Sequence, residues 1–361
     1  MVYFQKVIMK RQVPAIFLFI CIFYLPVFAQ TTNDTSAVVK DTFIDSSYIK
    51  YYDHYLNFTA GWSTRNTRYI ISYPQYYTRF VLSPKETDQF YFGLDYSLLY
   101  LYYSFTPKVF NLNNEDTIKG QSERFTFGTG FSFKQWQINL DYQSIKGYYL
   151  HNTNEFIPGW TKGDAYIQFP GLRTIQAGGQ VGYNFNEKFS ISSLTSGKEQ
   201  QLKTVITFFP ILSYWHIKMK DETTDSVQKA NNVLTVNNDV NLMLPVAMNI
   251  VFAKNFYVAA FAGPMIGIDF YKANAYDENG NALTTSGTRI STGYYARGSI
   301  GYTGRNFFAG IDAVTRYYEH QQQSQKFSKN SYGIQVYLGT RFDPPGFLKK
   351  TVKWLEKINP L

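Results

Sequence analysis

Arg124 to Gln143 reads RFTFGTGFSFKQWQINLDYQ, and its spacing decides the fold. Phe125, Phe127, Thr129, Phe131 and Phe133 take one set of alternate positions, and Arg124, Thr126, Gly128, Gly130, Ser132 and Lys134 take the other. Past the turn at Lys134-Gln135, Trp136, Ile138, Leu140 and Tyr142 oppose Gln135, Gln137, Asn139, Asp141 and Gln143. Successive side chains of a strand point to opposite faces, so these are two strands of a hairpin, each with an apolar and a polar side. A slip of one residue would turn Asp141 onto the apolar side, so the register is firmly specified.

The same alternation spreads in both directions. Phe90, Phe92, Leu94, Tyr96 and Leu98 oppose Tyr91, Gly93, Asp95 and Ser97; Ile175, Ala177, Gly179, Val181, Tyr183 and Phe185 oppose Gln176, Gly178, Gln180, Gly182 and Asn184. Near the end, Tyr332, Ile334, Val336, Leu338 and Phe342 oppose Gly333, Gln335, Tyr337, Gly339 and Arg341. With 31 Tyr, 31 Phe and 5 Trp the chain is 19% aromatic, yet its mean hydropathy is slightly polar at -0.26. Many outward aromatics over a polar inner face are the signature of strands that divide lipid from a lumen. A soluble sandwich would pack its apolar faces together instead. Tight turns near Leu98-Leu99, Lys134-Gln135, Asn186 to Lys188, Lys254-Asn255 and Gly304-Arg305 alternate with polar loops at about 65–87, 107–122, 148–172, 271–288 and 319–330. Short turns at one rim and long loops at the other describe an antiparallel transmembrane β-barrel.

Thirteen segments read as strands, an odd number that closure with both termini at one rim forbids. Either a strand hides in 218–238, giving fourteen, or 188–196 is not a span, giving twelve. Twelve is the expectation, because Lys220, Asp221, Glu222 and Asp225 suit a lipid-facing strand poorly. Pro210 and Pro245 each remove a ladder donor and mark bulges or strand ends. Leu348, Val352, Leu355 and Ile358 recur at helical spacing among Lys349, Lys350, Lys353 and Lys357, predicting a short C-terminal amphipathic helix at the membrane interface.

Lys6, Lys10 and Arg11, the apolar run Val13 to Phe28 and the Val27-Phe28-Ala29 site read as a secretory signal cleaved after Ala29. The expected organisation is a signal peptide at 1–29, a periplasmic linker at 30–53, the barrel at 54–342 and a basic amphipathic tail at 343–361, in the bacterial outer membrane. Past the signal no apolar run reaches the length of a spanning helix. The only cysteine, Cys21, lies in the signal behind Ile20, which argues against a lipid anchor and leaves no thiol for a disulfide, a metal or a nucleophile. The formal charge of +9 includes three signal cations, and its densest cluster is the tail lysines. That distribution gives no groove for nucleic acid.

Asp45-Ser46-Ser47-Tyr48-Ile49-Lys50, Lys146-Gly147-Tyr148-Tyr149-Leu150, and Asn186-Glu187-Lys188-Phe189-Ser190 followed by Gln201-Leu202-Lys203 carry a resemblance. By their order and spacing the chain resembles, from about 45 to 342, domain of unknown function 4421, a family of outer-membrane proteins of Bacteroidota. It departs from that pattern at Thr204 to Thr207 and in the tail. The resemblance implies a signal peptide and a barrel, with no activity and no functional residues attached.

Charged side chains are costly in lipid, so alternation sends Arg65, Asp95, Arg124, Lys134, Asp141, Asp269, Arg297, Asp312, Arg316 and Arg341 inward. Of these, Asp95, Asp141, Asp269, Arg297, Asp312, Arg316 and Arg341 are the candidate lumen ionic network. Hydrolysis draws little support: His54, His151 and His320 fall at strand ends or in loops, and His216 lies three residues from Ser213, hence on the opposite face. Asp277-Glu278-Asn279-Gly280-Asn281 reads as a hairpin tip before a calcium loop, and Gly128 and Gly130 lack the helix of a dinucleotide site. No metal and no cofactor is implied. The expected role is a narrow pore or a membrane scaffold, with a subunit of an envelope complex and a lipid-modifying enzyme as rivals. Its partners are outer-membrane lipid and, at loops bearing Tyr69, Tyr73, Tyr76, Tyr77, Tyr148, Tyr149 and Trp160, an envelope protein or glycan.

Overall fold

The computed structural model describes residues 47–106, 115–133, 135–194, 197–222, 234–276, 282–322 and 325–358. The signal peptide, most of the linker and the Asp277 to Asn281 turn lie outside the described residues.

Alternation closes into a ring. Its walls are β2 (Leu56–Tyr73), β4 (Thr87–Tyr96), β5 (Leu99–Phe105), β6 (Glu123–Phe133), β7 (Trp136–Leu150), β8 (Gln168–Tyr183), β14 (Phe256–Tyr276), β15 (Ala282–Thr303), β16 (Phe307–Gln322) and β17 (Gln325–Phe342), with two composite walls. One is β10 (Val205–Phe208) continued by β11 (Ile211–Asp221); the other is β12 (Leu234–Met243) continued by β13 (Val246–Phe252). Every neighbour pairs antiparallel, and β17 returns to β2 with Phe342 opposite Leu56, so the ring has twelve walls and no edge. Phe208 faces Val246 and Ile211 faces Met243. Pro210 and Pro245 therefore interrupt neighbouring walls at one height, and the Phe209 amide donates to the Pro245 carbonyl (3.0 Å) to bridge the gap.

Leu94, Leu101, Phe127, Leu140, Ile268, Ile300, Ile311 and Leu338 all point outward and are exposed, Leu140 by 48% and Leu338 by 61%. So wide an apolar belt is tolerable only against lipid.

Three expectations are corrected. Residues 65–73, 271–276, 282–288, 319–322 and 325–330 continue strands instead of forming loops, because a strand that rises above the membrane keeps its ladder while losing the need for an apolar face. β11 runs through Lys220 and Asp221, so the charges there do not end it. The linker assigned to 30–53 contains β1 (Ile49–Tyr51), paired with β9 (Glu199–Gln201).

The wall narrows toward the long-loop end. β3 (Thr78–Ser83) pairs β2 at Tyr69 to Tyr73 and β7 at Tyr149 and Leu150, above the stretches where those strands hold β4 and β6. One strand thus replaces β4, β5 and β6, and twelve walls become ten. Gly147 makes this possible: with φ of +86° it carries a register shift between Lys146 and Tyr148, and a Cβ there would come within 2.0 Å of the Gln121 carbonyl. Tyr148 is thereby turned inward to pack with Tyr69, Leu82, Ile145 and Leu150. Tyr69, Tyr148 and Tyr149 are buried in this outer packing, so the loop-contact role expected of them is withdrawn; Tyr76 and Tyr77 are exposed.

A helix of one turn, α1 (Asp116–Lys119), lies between β5 and β6, and α2 (Gly346–Ile358) follows β17. In α2 Val352 is buried while Phe347 and Trp354 are exposed.

Candidate functional site

Between β8 and β10 the chain does not cross the membrane. Residues 184–194 and 197–204 fold into the inner end of the barrel, carrying a turn of 3-10 helix at Ser192–Leu194 and the strand β9. Phe189 and Leu194 pack inside against Val205, Phe209, Met243, Ala247 and Phe261. This is the 188–196 segment whose span was in doubt: its apolar residues face the lumen packing and not lipid.

The segment is tied around the ring. The Lys198 ammonium donates to the Ser97 carbonyl at the foot of β4 (2.9 Å) and lies 4.0 Å from Asp95. Asn249 in β13 donates to the Ser193 hydroxyl (3.1 Å). The composite wall containing β13 stands six places from β4 in a ring of twelve, so these two ties span the diameter. Gln200 donates to the Asn255 side chain (3.0 Å), and Arg297 in β15 reaches the Leu194 carbonyl (3.3 Å). Arg341 in β17 donates to the carbonyls of Gly304 (2.6 Å) and Gly197 and stacks 3.8 Å above the Tyr52 ring. Three of the stretches quoted for the family resemblance meet here. The Gln201 amide donates to the Tyr48 and Lys188 carbonyls, and its oxygen accepts from the Ser190 amide. Lys188 and Lys203 sit over the Tyr48 ring. Glu199 accepts from the Ser190 hydroxyl (2.6 Å), and burial pushes its carboxyl above the ordinary range.

Above this plug lies a cavity of about 380 Å³, lined by residues of most walls and by Ile191, Ser192 and Leu194 of the plug. Its sides carry amides, including Gln137, Asn139, Gln143, Gln176 and Gln180, and the rings of Tyr91, Tyr100, Tyr102 and Tyr295. Gly128 and Gly130 leave the room taken by the side chains of Asp141 and Asn139, whose oxygens a Cβ would meet at 2.6 and 2.7 Å.

The expected charges divide into separate groups. Arg297 donates to Asp312 (2.6 Å), which also accepts from the Ser299 hydroxyl (2.6 Å). Asp269, wholly buried, sits apart with Arg289 (2.8 Å), Asn237 (2.9 Å) and His320 (3.7 Å), directly across the ladder from Asp239, which accepts from Tyr318 (3.1 Å). Asp95 faces the plug lysine. Asp141 lines the cavity with no cation within ion-pair distance among the described residues. Arg316 lines it too, over the rings of Tyr295 (5.1 Å) and Trp215 (6.0 Å). Arg341 belongs to the plug seat and not to the cavity. Arg65 and Arg124 are cavity residues, as alternation placed them.

Lys198, Arg289, His320 and Lys329 went unread as lumen residues. Lys329 donates to Gln176 (2.7 Å), and His320 stacks on Phe327. The signal was present in the continuing alternation of Tyr318, His320, Phe327 and Lys329, hidden by polar neighbours. Ser213 points inward toward the Asn241 carbonyl while His216 bonds Asn238 (2.9 Å) on the other face, so these two form no nucleophile and base pair.

The family described as "Domain of unknown function (DUF4421)" matches residues 43–342. No curated protein matches. Among solved structures the chain is similar to the outer membrane protease OmpT of Escherichia coli, with TM-score 0.39 and 6% identity over 82% of this chain and 100% of that one. It is also similar to the toluene transporter TodX of P. putida, with TM-score 0.30 and 9% identity over 81% and 91%. A third similar structure is the outer-membrane expressed OmpT of Vibrio cholerae, with TM-score 0.30 and 8% identity over 80% and 99%.

Proposed function

The chain belongs to the family of domain of unknown function 4421, and from that premise we propose that it is an outer-membrane barrel closed at rest, a membrane scaffold and not a standing pore. The observation that carries this reading is the plug: residues 184–204 cross the inner end with ties to Ser97 and Asn249 on opposite sides of the ring. The apolar packing around Tyr69, Tyr148 and Leu150 narrows the other end, where ten walls replace twelve. The outward apolar belt supports residence in a membrane, and the N-terminal signal with short inner turns supports the outer membrane, plug toward the periplasm. The outer loops, where Tyr76 and Tyr77 are exposed, are then the surface that meets an envelope partner.

Single-channel recording on the purified barrel tests the proposal. Cys21 is the only native cysteine, so Ser193→Cys with Asn249→Cys gives one defined tether. The native barrel should hold no steady current, with or without the tether. A sustained open current from the native protein that the tether abolishes would replace the scaffold by a pore.

A further inference from the structure

We infer that the cavity above the plug is a receptor site for a small oxyanion of the phosphate class, alone or carried on a hydrophilic small molecule. The charge inventory gives the first argument. Arg65, Arg124, Arg297, Arg316 and Lys329 line the cavity, against Asp95, Asp141 and Asp312. Arg297 is taken by Asp312 at 2.6 Å, and Asp95 lies toward Lys198 of the plug. That leaves the guanidinium groups of Arg65, Arg124 and Arg316 with Asp141, and Lys329 shared between the cavity and the buried Asp239.

Arg124 supplies the second, independent argument. It is only 5% exposed, and among the described residues its one hydrogen bond runs from Nη1 to the Arg65 carbonyl (2.8 Å). Its Nε and Nη2 are buried without an acceptor. A guanidinium stripped of water and left with two idle donors is costly; a turn of the Arg124 side chain toward the cavity it lines would present that fork to an oxyanion, the acceptor that matches it. Among the described residues Arg316 has rings and no carboxylate within ion-pair distance, and Arg65 meets the Gln335 amide (3.4 Å) and the Tyr102 ring; Lys329 donates to the Gln176 amide and feels Asp239 as well. A structural brace would pair these cations with acids, as Arg289 is paired with Asp269. Here Arg65, Arg124 and Arg316 meet neutral acceptors instead. A cavity of about 380 Å³ lies within the range of roughly 300 to 1,000 Å³ typical of small-ligand sites, and its amide walls suit a hydroxylated carrier better than an apolar one.

The test uses the full-length mature barrel in detergent, with inorganic phosphate as the probe and chloride at matched ionic strength as the reference. Phosphate should bind by calorimetry and raise the thermal midpoint in the lipid-free sample. Arg124→Gln and Arg316→Gln should each weaken it about tenfold or more, the loss of one charge-assisted contact. Asp141→Asn, which removes the unpaired carboxylate, should tighten it severalfold. Heat-modifiable gel mobility confirms that each variant is folded. Absence of phosphate binding in the native barrel, or equal binding by folded Arg124→Gln, Arg316→Gln and Asp141→Asn, overturns the inference. A steady open current from the native barrel, which fails the closed-scaffold reading, leaves the receptor site standing where phosphate still binds and Arg124→Gln still weakens it.

Discussion

Removing Arg297 exposes how the inner barrel is held. Its Nε lies 2.6 Å from Asp312 Oδ2; Asp312 is 3% exposed and the Arg297 side chain 21%. Arg297→Ala leaves a buried carboxylate whose one remaining donor is the Ser299 hydroxyl. Breaking a buried pair from one side costs about 3–5 kcal/mol, and the surviving hydroxyl sets the expectation near the lower end. Asp312→Ala leaves the arginine with the Leu194 carbonyl and some water, so it should cost less. Together the two changes remove both halves of the mismatch, and the double variant should be milder than the sum by about 1–3 kcal/mol. Urea unfolding in vesicles, followed by tryptophan fluorescence across native, both singles and the double, measures the cycle. Additivity within about 0.5 kcal/mol would refute the pairing, since independent sites add to that precision.

Replacing outward Leu140 by Arg should impair insertion by about 2–4 kcal/mol near the bilayer midplane, while Arg at cavity-facing Gln137 is tolerated; equal folding yields in a vesicle assay would reverse the assigned faces. Gly197→Ala puts a Cβ 2.6 Å from the Phe308 ring at a φ of +66°, so the plug should loosen, read as faster protease cutting within 184–204. Because burial raises the Glu199 carboxyl, the docked plug binds a proton more readily than the released one; its docking weakens as pH rises from the ordinary glutamate value through the raised one, and Glu199→Gln should flatten that dependence in the same assay. At the outer end the hydrogen bond from Arg79 holds Glu155 below the ordinary range, so its contribution is present above that range and lost as acid protonates it; the protection of amides around Thr153 to Glu155, taken relative to their intrinsic exchange rate at each pH, should fall in acid, and not in Glu155→Gln.

Period-two spacing carried the walls and their faces: Leu94, Leu140 and Ile311 point out, Asp95, Asp141 and Asp312 in, as the residues themselves dictate. Wall height was not legible, because above the belt both faces meet water or protein and Thr284, Ser286 and Thr288 look like loop residues. β3 was missed for a different reason. Its partners lie near Tyr69 and near Leu150, and no local pattern announces a pairing across some seventy residues. Alternation set Arg341 inward, but the Gly197 carbonyl it grips lies 144 residues away in the chain, a contact no local pattern carries.

That grip joins two ends of one process. β17 seals the wall by pairing with β2 from Leu56 to Ser72, and the same strand supplies Arg341 to the plug. A chain that lacks its last strand therefore loses the seam with β2 and the Arg341 tie to the plug together. One strand thus couples the integrity of the wall to the seating of the segment inside it, so damage at β17 is felt in both places at once.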